Sequence, residues 1–178
     1  MIIPKMKEIV CSAIESNALC RAYFRYETSF RFLFPLKASD KLFLSAEEDD
    51  FILDGFSVRR FYDMRDIAEE KGKYSEIVKA EGLPGRITAP DIDVKDRRST
   101  FLSLQSMDEI IIVEKESTDD SECEFAIGKI EKVYRDKVVF RDFDSECVWS
   151  KEPLTIPFSR ITSVTVGSRY SEVYSKYL

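Results

Sequence analysis

Histidine is absent from this sequence of 178 residues. The absence excludes serine or cysteine nucleophiles that an imidazole base activates, and it excludes zinc sites built from imidazole ligands. Only six glycines are present and they are scattered, so the sequence contains neither a GxxxxGK phosphate-binding loop nor a GxGxxG turn. We find no signature of a familiar hydrolase or nucleotide-binding enzyme, and we expect no cofactor.

Long hydrophobic runs are also missing. No apolar stretch approaches the length of about 18 residues that a membrane-spanning helix needs. The first residues, MIIPKMKEIV, carry a proline and charges where a signal peptide needs an unbroken apolar core. We therefore expect no membrane association and a cytoplasmic location.

The cysteines form no CxxC pair. In a cytoplasmic chain, such isolated cysteines are most simply small buried apolar residues with reduced thiols. This interpretation is preferred over a metal or redox role for the four of them: Cys11, Cys20, Cys123 and Cys147.

Hydrophobic residues make up 44% of the chain and aromatic residues 12%, which is enough for real hydrophobic cores. The formal net charge of −6 repels a nucleic-acid backbone in general, although a local basic face can still bind one. The composition therefore predicts a globular protein that is not a general nucleic-acid binder.

An internal repeat organises the chain. Asp40-Lys41 recurs as Asp136-Lys137, and Tyr74-Ser75-Glu76 recurs as Tyr170-Ser171-Glu172, both at a spacing of 96 positions (136−40 and 170−74). Between these anchors, three apolar residues repeat with a one-residue slip: Phe61, Met64 and Ile67 match Phe158, Ile161 and Val164. The pattern indicates a tandem duplication.

Each copy begins with a helical pattern. In the first copy the apolar residues Met6, Ile9, Val10, Ala13 and Ile14 share one helical face, and Asn17 is a plausible end. In the second copy Phe101, Leu104 and Met107 recur every three residues, and Asp96 is a candidate N-cap.

Short strands follow each helix. A two-residue turn is predicted at Asp40-Lys41, and the acidic run 47–50 is interpreted as a solvated hairpin loop. At Gly128 the alternation of apolar residues slips by one position, which is typical of a bulge or a sharp bend.

These patterns predict a mainly β (α+β) fold with two tandem small antiparallel β-barrels, each preceded by a short α-helix. The first helix-plus-barrel repeat covers residues 1–83, a linker covers 84–94, and the second repeat covers 95–178. A unit of about 85 residues is marginal alone, so we expect the two to pack together.

The segments SDKLFLSAEEDDFILDGFSVRRFYDMRDIAEEKGKY and FAIGKIEKVYRDKVVF resemble the two halves of an uncharacterised family of small bacterial proteins. The helix-plus-strands unit is also similar to the Sm-like (SH3-type) barrel. The Sm-like resemblance implies RNA binding or ring assembly, but the loop signatures of RNA-binding Sm proteins are missing here. Neither resemblance supplies catalytic residues.

Three groups of residues are candidates for a site. Asp142, Asp144 and Glu146 alternate like the start of a calcium loop, but Cys147 stands where that loop needs glycine, so we expect no metal. A basic and aromatic strand face suits phosphate contact and base stacking, or alternatively a salt-bridged outer surface. Its residues are the candidate ligand-binding set Arg21, Tyr23, Arg25 and Arg31.

The third group is structural. Trp149 matches an apolar position of the first copy, which favours core packing over a ligand platform. The repeated words place Tyr74 with Glu76 and Tyr170 with Glu172 at the ends of the two copies. We expect each tyrosine to bury its ring in a core and to bond its hydroxyl to the backbone, rather than to form an acid–base pair with the glutamate.

The leading hypothesis is therefore a non-enzymatic binding or assembly module. Exposed edges of small sheets commonly pair with other chains, so a protein partner or self-association is expected. The alternative is an RNA or single-stranded nucleic-acid binding protein that uses the basic and aromatic strand face. A third hypothesis is a carboxylate-based enzyme or metal binder that uses Asp142, Asp144 and Glu146.

Overall fold

A computed structural model describes residues 2–178, which form a mainly β architecture. The α-helices are α1 (Ile3–Ser16), α2 (Lys73–Ala80), α3 (Leu83–Arg86), α4 (Arg97–Met107) and α5 (Arg169–Tyr174). The strands are β1 (Cys20–Phe24), β2 (Phe30–Ala38), β3 (Leu42–Asp49), β4 (Ile52–Arg60), β5 (Met64–Glu69), β6 (Ile111–Lys115), β7 (Glu124–Val133), β8 (Lys137–Asp142), β9 (Leu154–Pro157) and β10 (Ser163–Val166).

The ten strands form one antiparallel sheet in the order β5-β1-β2-β3-β4-β10-β6-β7-β8-β9. Each half of the chain contributes five strands, and in each half the fifth strand lies beside the first. A short 3-10 helix precedes the fifth strand in both halves, at Phe61–Asp63 and Phe158–Arg160. Within residues 2–178 the sheet is open, with β5 and β9 at its edges, so its ladders do not close two separate barrels.

Helix α1 confirms the predicted apolar face, because Met6, Val10 and Ala13 are buried against the sheet. The helix ends where the sequence predicted, at Asn17, whose φ of 50° is left-handed. An asparagine tolerates this conformation better than most residues, which makes it a good helix stop.

Helix α4 covers the middle of the sheet. Its predicted N-cap is confirmed, since the Asp96 carboxylate accepts a hydrogen bond of 2.8 Å from the Ser99 N–H. Phe101 and Leu104 pack into a core that contains strand residues from both halves of the chain, including Val58 and Val164. The two halves therefore share one hydrophobic core on this face.

The segment 84–94, which the sequence analysis interpreted as a linker, begins within α3 and contributes to that core. Ile92 and Val94 are both buried among the core residues. The segment is thus anchored at alternate residues rather than running free over the surface.

The two halves are joined by the pairing of β4 with β10. Val58 lies opposite Val164, and Phe56 lies opposite Val166. Gly55, with φ of +79°, comes so close to β10 that an added Cβ would lie 2.6 Å from the Val166 carbonyl oxygen. Only glycine adopts this φ readily and also lets the backbone of β10 come so close.

The second strand of each half has an irregular register. In β7 the register shifts between Ile130 and Lys132, two residues beyond the bend predicted at Gly128. In β2 it shifts between Pro35 and Lys37. An added Cβ at Gly128 would lie 2.0 Å from the Arg141 carbonyl oxygen, so glycine permits the close approach of β8 there.

The interpretation of residues 47–50 as a solvated loop is wrong for half of that run. Glu47 and Glu48 lie in β3 and are only 9% and 6% exposed. The turn itself is Asp50-Phe51, where both residues have positive φ values of 46° and 68°. A like-charged run predicts solvation only when no partner groups are available, and here serines, a tyrosine and an arginine supply them.

Candidate functional site

A wide cleft crosses the junction of the two halves. It has a volume of about 890 Å³ and lies along β2, β3 and β4 on one side and along β10, β6 and the start of β7 on the other. Tyr74 and Tyr170, the tyrosines of the two repeated words, both line it. We call this space the junction cleft.

One wall of the junction cleft is a row of aromatic rings in contact with one another. The ring of Phe30 lies 5.0 Å from that of Phe32, which stacks on Tyr74 at 4.4 Å. The Phe51 ring, on the β3–β4 turn, lies 4.9 Å from Tyr74 and continues the row. This contact offsets part of the cost of the left-handed conformation of Phe51.

The opposite wall repeats the arrangement in the second half. Phe125 meets Tyr170 edge to face at 6.1 Å, and Tyr170 contacts Tyr174 at 5.0 Å. Tyr170 is 51% exposed, so its ring faces the cleft and not a core. The predicted burial of this ring is therefore wrong.

Tyr74 also differs from its prediction. Its hydroxyl donates to both carboxylate oxygens of Glu48, at 2.8 and 3.0 Å, instead of bonding to the backbone. Burial and the neighbouring carboxylate raise the pKa of Tyr74 to about 12. Burial likewise raises the pKa of Glu48, although the hydrogen bonds from Tyr74 and from the Phe51 N–H act in the opposite direction.

The floor of the junction cleft is polar although it lies in the middle of the sheet. The Glu47 carboxylate accepts a hydrogen bond of 3.0 Å from the Ser45 hydroxyl and another from the Ser57 hydroxyl. Across the junction, the Ser163 hydroxyl donates to the Glu114 carboxylate at 3.0 Å. These side chains occupy the sheet face opposite the shared core.

An ion network ties the two halves together beside this floor. Arg59, which is 2% exposed, donates two hydrogen bonds of 3.0 Å to the Glu116 carboxylate and lies 3.5 Å from that of Glu27. Arg31 also donates to Glu27, at 2.6 Å. Arg59 thus lies between carboxylates from opposite halves, and Arg31 joins the network through Glu27.

The pKa values of the two acids in this network, Glu27 and Glu116, are shifted in opposite directions. Burial raises the pKa of Glu27 above its ordinary value, although Arg59 and Arg31 oppose the shift. For Glu116, burial also acts upward, but the charge of Arg59 and hydrogen bonds from Arg59 and Thr162 outweigh it and hold the pKa low.

Carboxylates outnumber basic groups in the lining of the junction cleft. The lining contains eight acidic residues and two basic ones, Arg31 and Arg59. The eight acids are Glu27, Glu47, Glu48, Asp49, Asp50, Asp54, Glu114 and Asp120. The cleft therefore presents a negative potential between two aromatic walls.

The structure brings part of the predicted basic and aromatic set together around the Phe30 ring. Arg21 donates to the Glu70 carboxylate and stacks over Phe30, whereas Arg31 belongs to the junction cleft. Tyr23 contacts the same Phe30 ring edge to face at 5.8 Å. Arg25 follows the end of β1, and its guanidinium stands 4.9 Å from the Tyr62 ring. Two of the four predicted residues thus have carboxylate partners within the protein.

The other predicted residues lie at the surface or in a small cluster. Glu76 and Glu172 are exposed on α2 and α5. The serines between them and the tyrosines, Ser75 and Ser171, are the buried members of the repeated words. Trp149 packs edge to face on Phe143, at 5.3 Å, in a small cluster of the second half.

The acidic alternation before β9 forms a turn. The Asp144 carboxylate accepts hydrogen bonds from the Glu146 and Val148 N–H groups, at 2.9 and 3.0 Å. In residues 2–178 we find no group of three or more acids or thiols arranged to hold a metal ion. The side chain of Asp144 therefore acts within the loop itself.

The fold and the cleft together define a mainly β protein with a ligand-sized space at the junction of two similar halves. Comparison with protein-family models, curated proteins and solved structures gave no match to the chain. From Ile2 onward, no helix combines the length and the apolar character that crossing a bilayer requires.

Proposed function

We propose that the protein is a non-enzymatic binding module and that the junction cleft receives its ligand. The observation that carries this proposal is that both halves contribute an aromatic wall and acidic groups to one cleft. The central carboxylate, Glu47, is fixed by two serine hydroxyls, an arrangement that suits a preorganised binding surface. In this proposal the halves are two duplicated, Sm-like small barrels, which their identical strand order supports.

The chemistry of the cleft selects a positively charged ligand. Aromatic faces attract ammonium and guanidinium groups, and the eight carboxylates of the lining add a long-range attraction. The cleft is long enough to span both halves of the sheet, so an extended basic segment of a partner protein fits it better than a small ion does. Lysine or arginine side chains of that segment would lie between the walls formed by Tyr74 and Tyr170.

Calorimetric titration with an oligolysine peptide, with an oligoglutamate peptide as the reference, tests the proposal. We expect only the basic peptide to bind, and to bind more weakly as salt is raised, because exposed charges are screened. The variant D49N/D50N/D120N removes three exposed cleft charges. It should weaken binding about tenfold, at roughly 0.5 kcal/mol for each exposed charge.

A matched control separates the cleft from the overall charge. The variant D40N/D91N/D136N removes the same charge from three exposed positions outside the cleft. It should bind the basic peptide nearly as tightly as the wild type does. Equal losses in the two variants would mean that the peptide follows net charge and that the cleft is not its site.

A second candidate is single-stranded nucleic-acid binding at the end of β1. The observation in its favour is the Arg25 guanidinium over Tyr62, a ring that is 61% exposed and available for base stacking. An oligonucleotide titration at low salt decides this candidate, because phosphate contacts are strongest there. Absence of binding, or equal binding by Arg25→Ala, excludes this surface.

A further inference from the structure

The strands at the two free edges of the sheet, β9 and β5, hold the same places in their halves as β4 and β10, the two strands that pair at its centre. At the junction, β4 is the fourth strand of the first half and β10 is the fifth strand of the second. At the edges, β9 is the fourth strand of the second half and β5 is the fifth strand of the first. A second copy of the chain could therefore add its β5 to β9 in the manner in which β10 adds to β4.

The positions of the two fourth strands can be matched residue by residue. The N–H of Phe61 donates to the Lys41 carbonyl at 3.0 Å, and the N–H of Phe158 donates to the Asp136 carbonyl at 2.9 Å. Both bonds point toward the third strand of their half. The direction of the backbone N–H and C=O groups alternates along a strand. The groups of the residues three and five positions before Phe61 and Phe158 therefore point away from the third strand, toward the other side of the fourth strand.

On β4 these outward positions are Val58 and Phe56, and both lie opposite β10 residues. In the second half the same positions are Thr155 and Pro153. Pro153 has no N–H, and Pro157, which matches Arg60 at the end of the strand, has none either. Thr155 is thus the one outward N–H donor between these two prolines.

The β5 edge is protected in a different way, by a side chain that occupies a backbone donor. The Glu70 N–H donates to the Leu19 carbonyl on β1, at 2.8 Å, so Glu69 and Ile67 direct their backbone groups outward. The Ile67 N–H, however, already donates to the Asp66 carboxylate at 3.0 Å. A ladder matching that of β4 and β10 would use the backbone of four outward positions: Pro153, Thr155, Ile67 and Glu69. Of these, Thr155 and Glu69 are the two that can offer an N–H to a second copy.

We propose that Pro153, Pro157 and the Asp66 carboxylate prevent the chain from adding copies of itself head to tail through its β9 and β5 edges. Such an interface is heterologous and would extend into rings or filaments if it formed. Prolines and occupied donors at sheet edges are known protections against this kind of growth. The sheet therefore has the edges for the self-association that the sequence suggested, but these three groups prevent those edges from pairing.

Replacement of the two prolines and of the Asp66 carboxylate tests this proposal. We expect the variant D66A/P153V/P157V, called the unguarded variant, to form concentration-dependent oligomers in light scattering, with an average mass at least twice that of the wild type. The control D91A/P90V makes the same kinds of replacement in the segment before α4, and it should keep the mass of the wild type. Circular dichroism checks that each variant remains folded.

A third variant identifies the edges that pair. Glu69→Pro, added to the unguarded variant, removes an outward donor from β5 and should restore the mass of the wild type. Oligomers that survive Glu69→Pro, or a folded unguarded variant with unchanged mass, would overturn the proposal. If the unguarded variant does not fold, Pro153→Val alone, which restores one donor, must meet the same criterion of increased mass.

Discussion

The hydroxyl of Tyr74 donates hydrogen bonds to both carboxylate oxygens of Glu48, at 2.8 and 3.0 Å. The contact joins α2 to β3 across one wall of the junction cleft, and Glu48 also accepts a hydrogen bond of 2.7 Å from the Phe51 N–H in the neighbouring turn. A nearly buried carboxylate is thus held by a side chain and a backbone group that come from different elements.

Substitution of Tyr74 by phenylalanine tests the energetic value of this contact. We expect the free energy of unfolding to fall by about 1–2 kcal/mol, because Glu48 loses its side-chain partner while the stacked ring is retained. Urea denaturation measures the change. Tyr177→Phe, at a site that is 73% exposed, is the matched control and should leave stability unchanged.

Alkaline pH should weaken the same contact. The folded-state pKa of Tyr74 is raised from an ordinary value near 10 to about 12. A raised pKa means that its contribution to stability is complete below the unfolded value and is lost as pH rises from about 10 to about 12. Stability measured across this range should fall less steeply for Tyr74→Phe than for the wild type. Parallel curves would contradict the assignment.

The sequence predicted those elements whose signals are local. The apolar face of α1, the stop at Asn17 and the Asp96 cap each depend on residues within one or two turns, and all three are confirmed. The strand-rich character was also predicted. The pairing of β4 with β10 was not, because it joins residues about 100 positions apart and no local pattern encodes it.

The junction cleft was missed for a related reason. Glu47 and Glu48 were assigned to a solvated loop because Ser57 and Tyr74, which donate hydrogen bonds to them, lie on other elements, 10 and 26 residues further along the chain. One signal could have indicated the cleft: in β4 and β10, apolar residues alternate with Ser57, Arg59, Ser163 and Thr165. A polar face on strands at the centre of a sheet suggests a lined cavity.

Gly55 should be the most sensitive glycine at the junction. Alanine there would combine a φ of +79° with a Cβ only 2.6 Å from backbone atoms of Val166 and Ser168. We expect Gly55→Ala to destabilise the fold by about 2–5 kcal/mol, from the left-handed backbone and the steric overlap together. Thermal or urea unfolding measures this loss. Gly85→Ala, where the added Cβ meets open space, is the control.

The cysteines should differ sharply in reactivity. Burial, with a smaller effect from the charge of Glu69, raises the pKa of the Cys20 thiol to about 12. Cys11 and Cys123 are exposed, so the predicted burial is wrong for these two. Because the thiolate is the reactive form, a thiol reagent at neutral pH should modify Cys11 and Cys123 rapidly and Cys20 only after unfolding. Peptide mapping of the labelled native protein checks this order, and early labelling of Cys20 would contradict it.

Arg59 should be the residue on which the contact between the halves depends most strongly. Its guanidinium lies between the carboxylates of Glu116 and Glu27, and it is almost completely buried. Arg59→Met leaves both carboxylates without this partner, so we expect a loss of about 3–5 kcal/mol in the free energy of unfolding. The triple variant R59M/E27Q/E116Q removes the uncompensated charges and should recover part of that loss.

The pH dependence of Arg59→Met separates this electrostatic effect from a packing defect. In the wild type, the lowered pKa of Glu116 contributes stability that is present above an ordinary value near 4.5 and is lost as pH falls. Without Arg59 the pKa values of both carboxyl groups should rise, and the groups should become neutral on mild acidification. The deficit of the variant relative to the wild type should therefore shrink as pH falls from neutral toward 4.5, as denaturation at several pH values would show. A deficit that is independent of pH would assign the loss to packing on Phe24, whose ring lies 4.5 Å from the guanidinium.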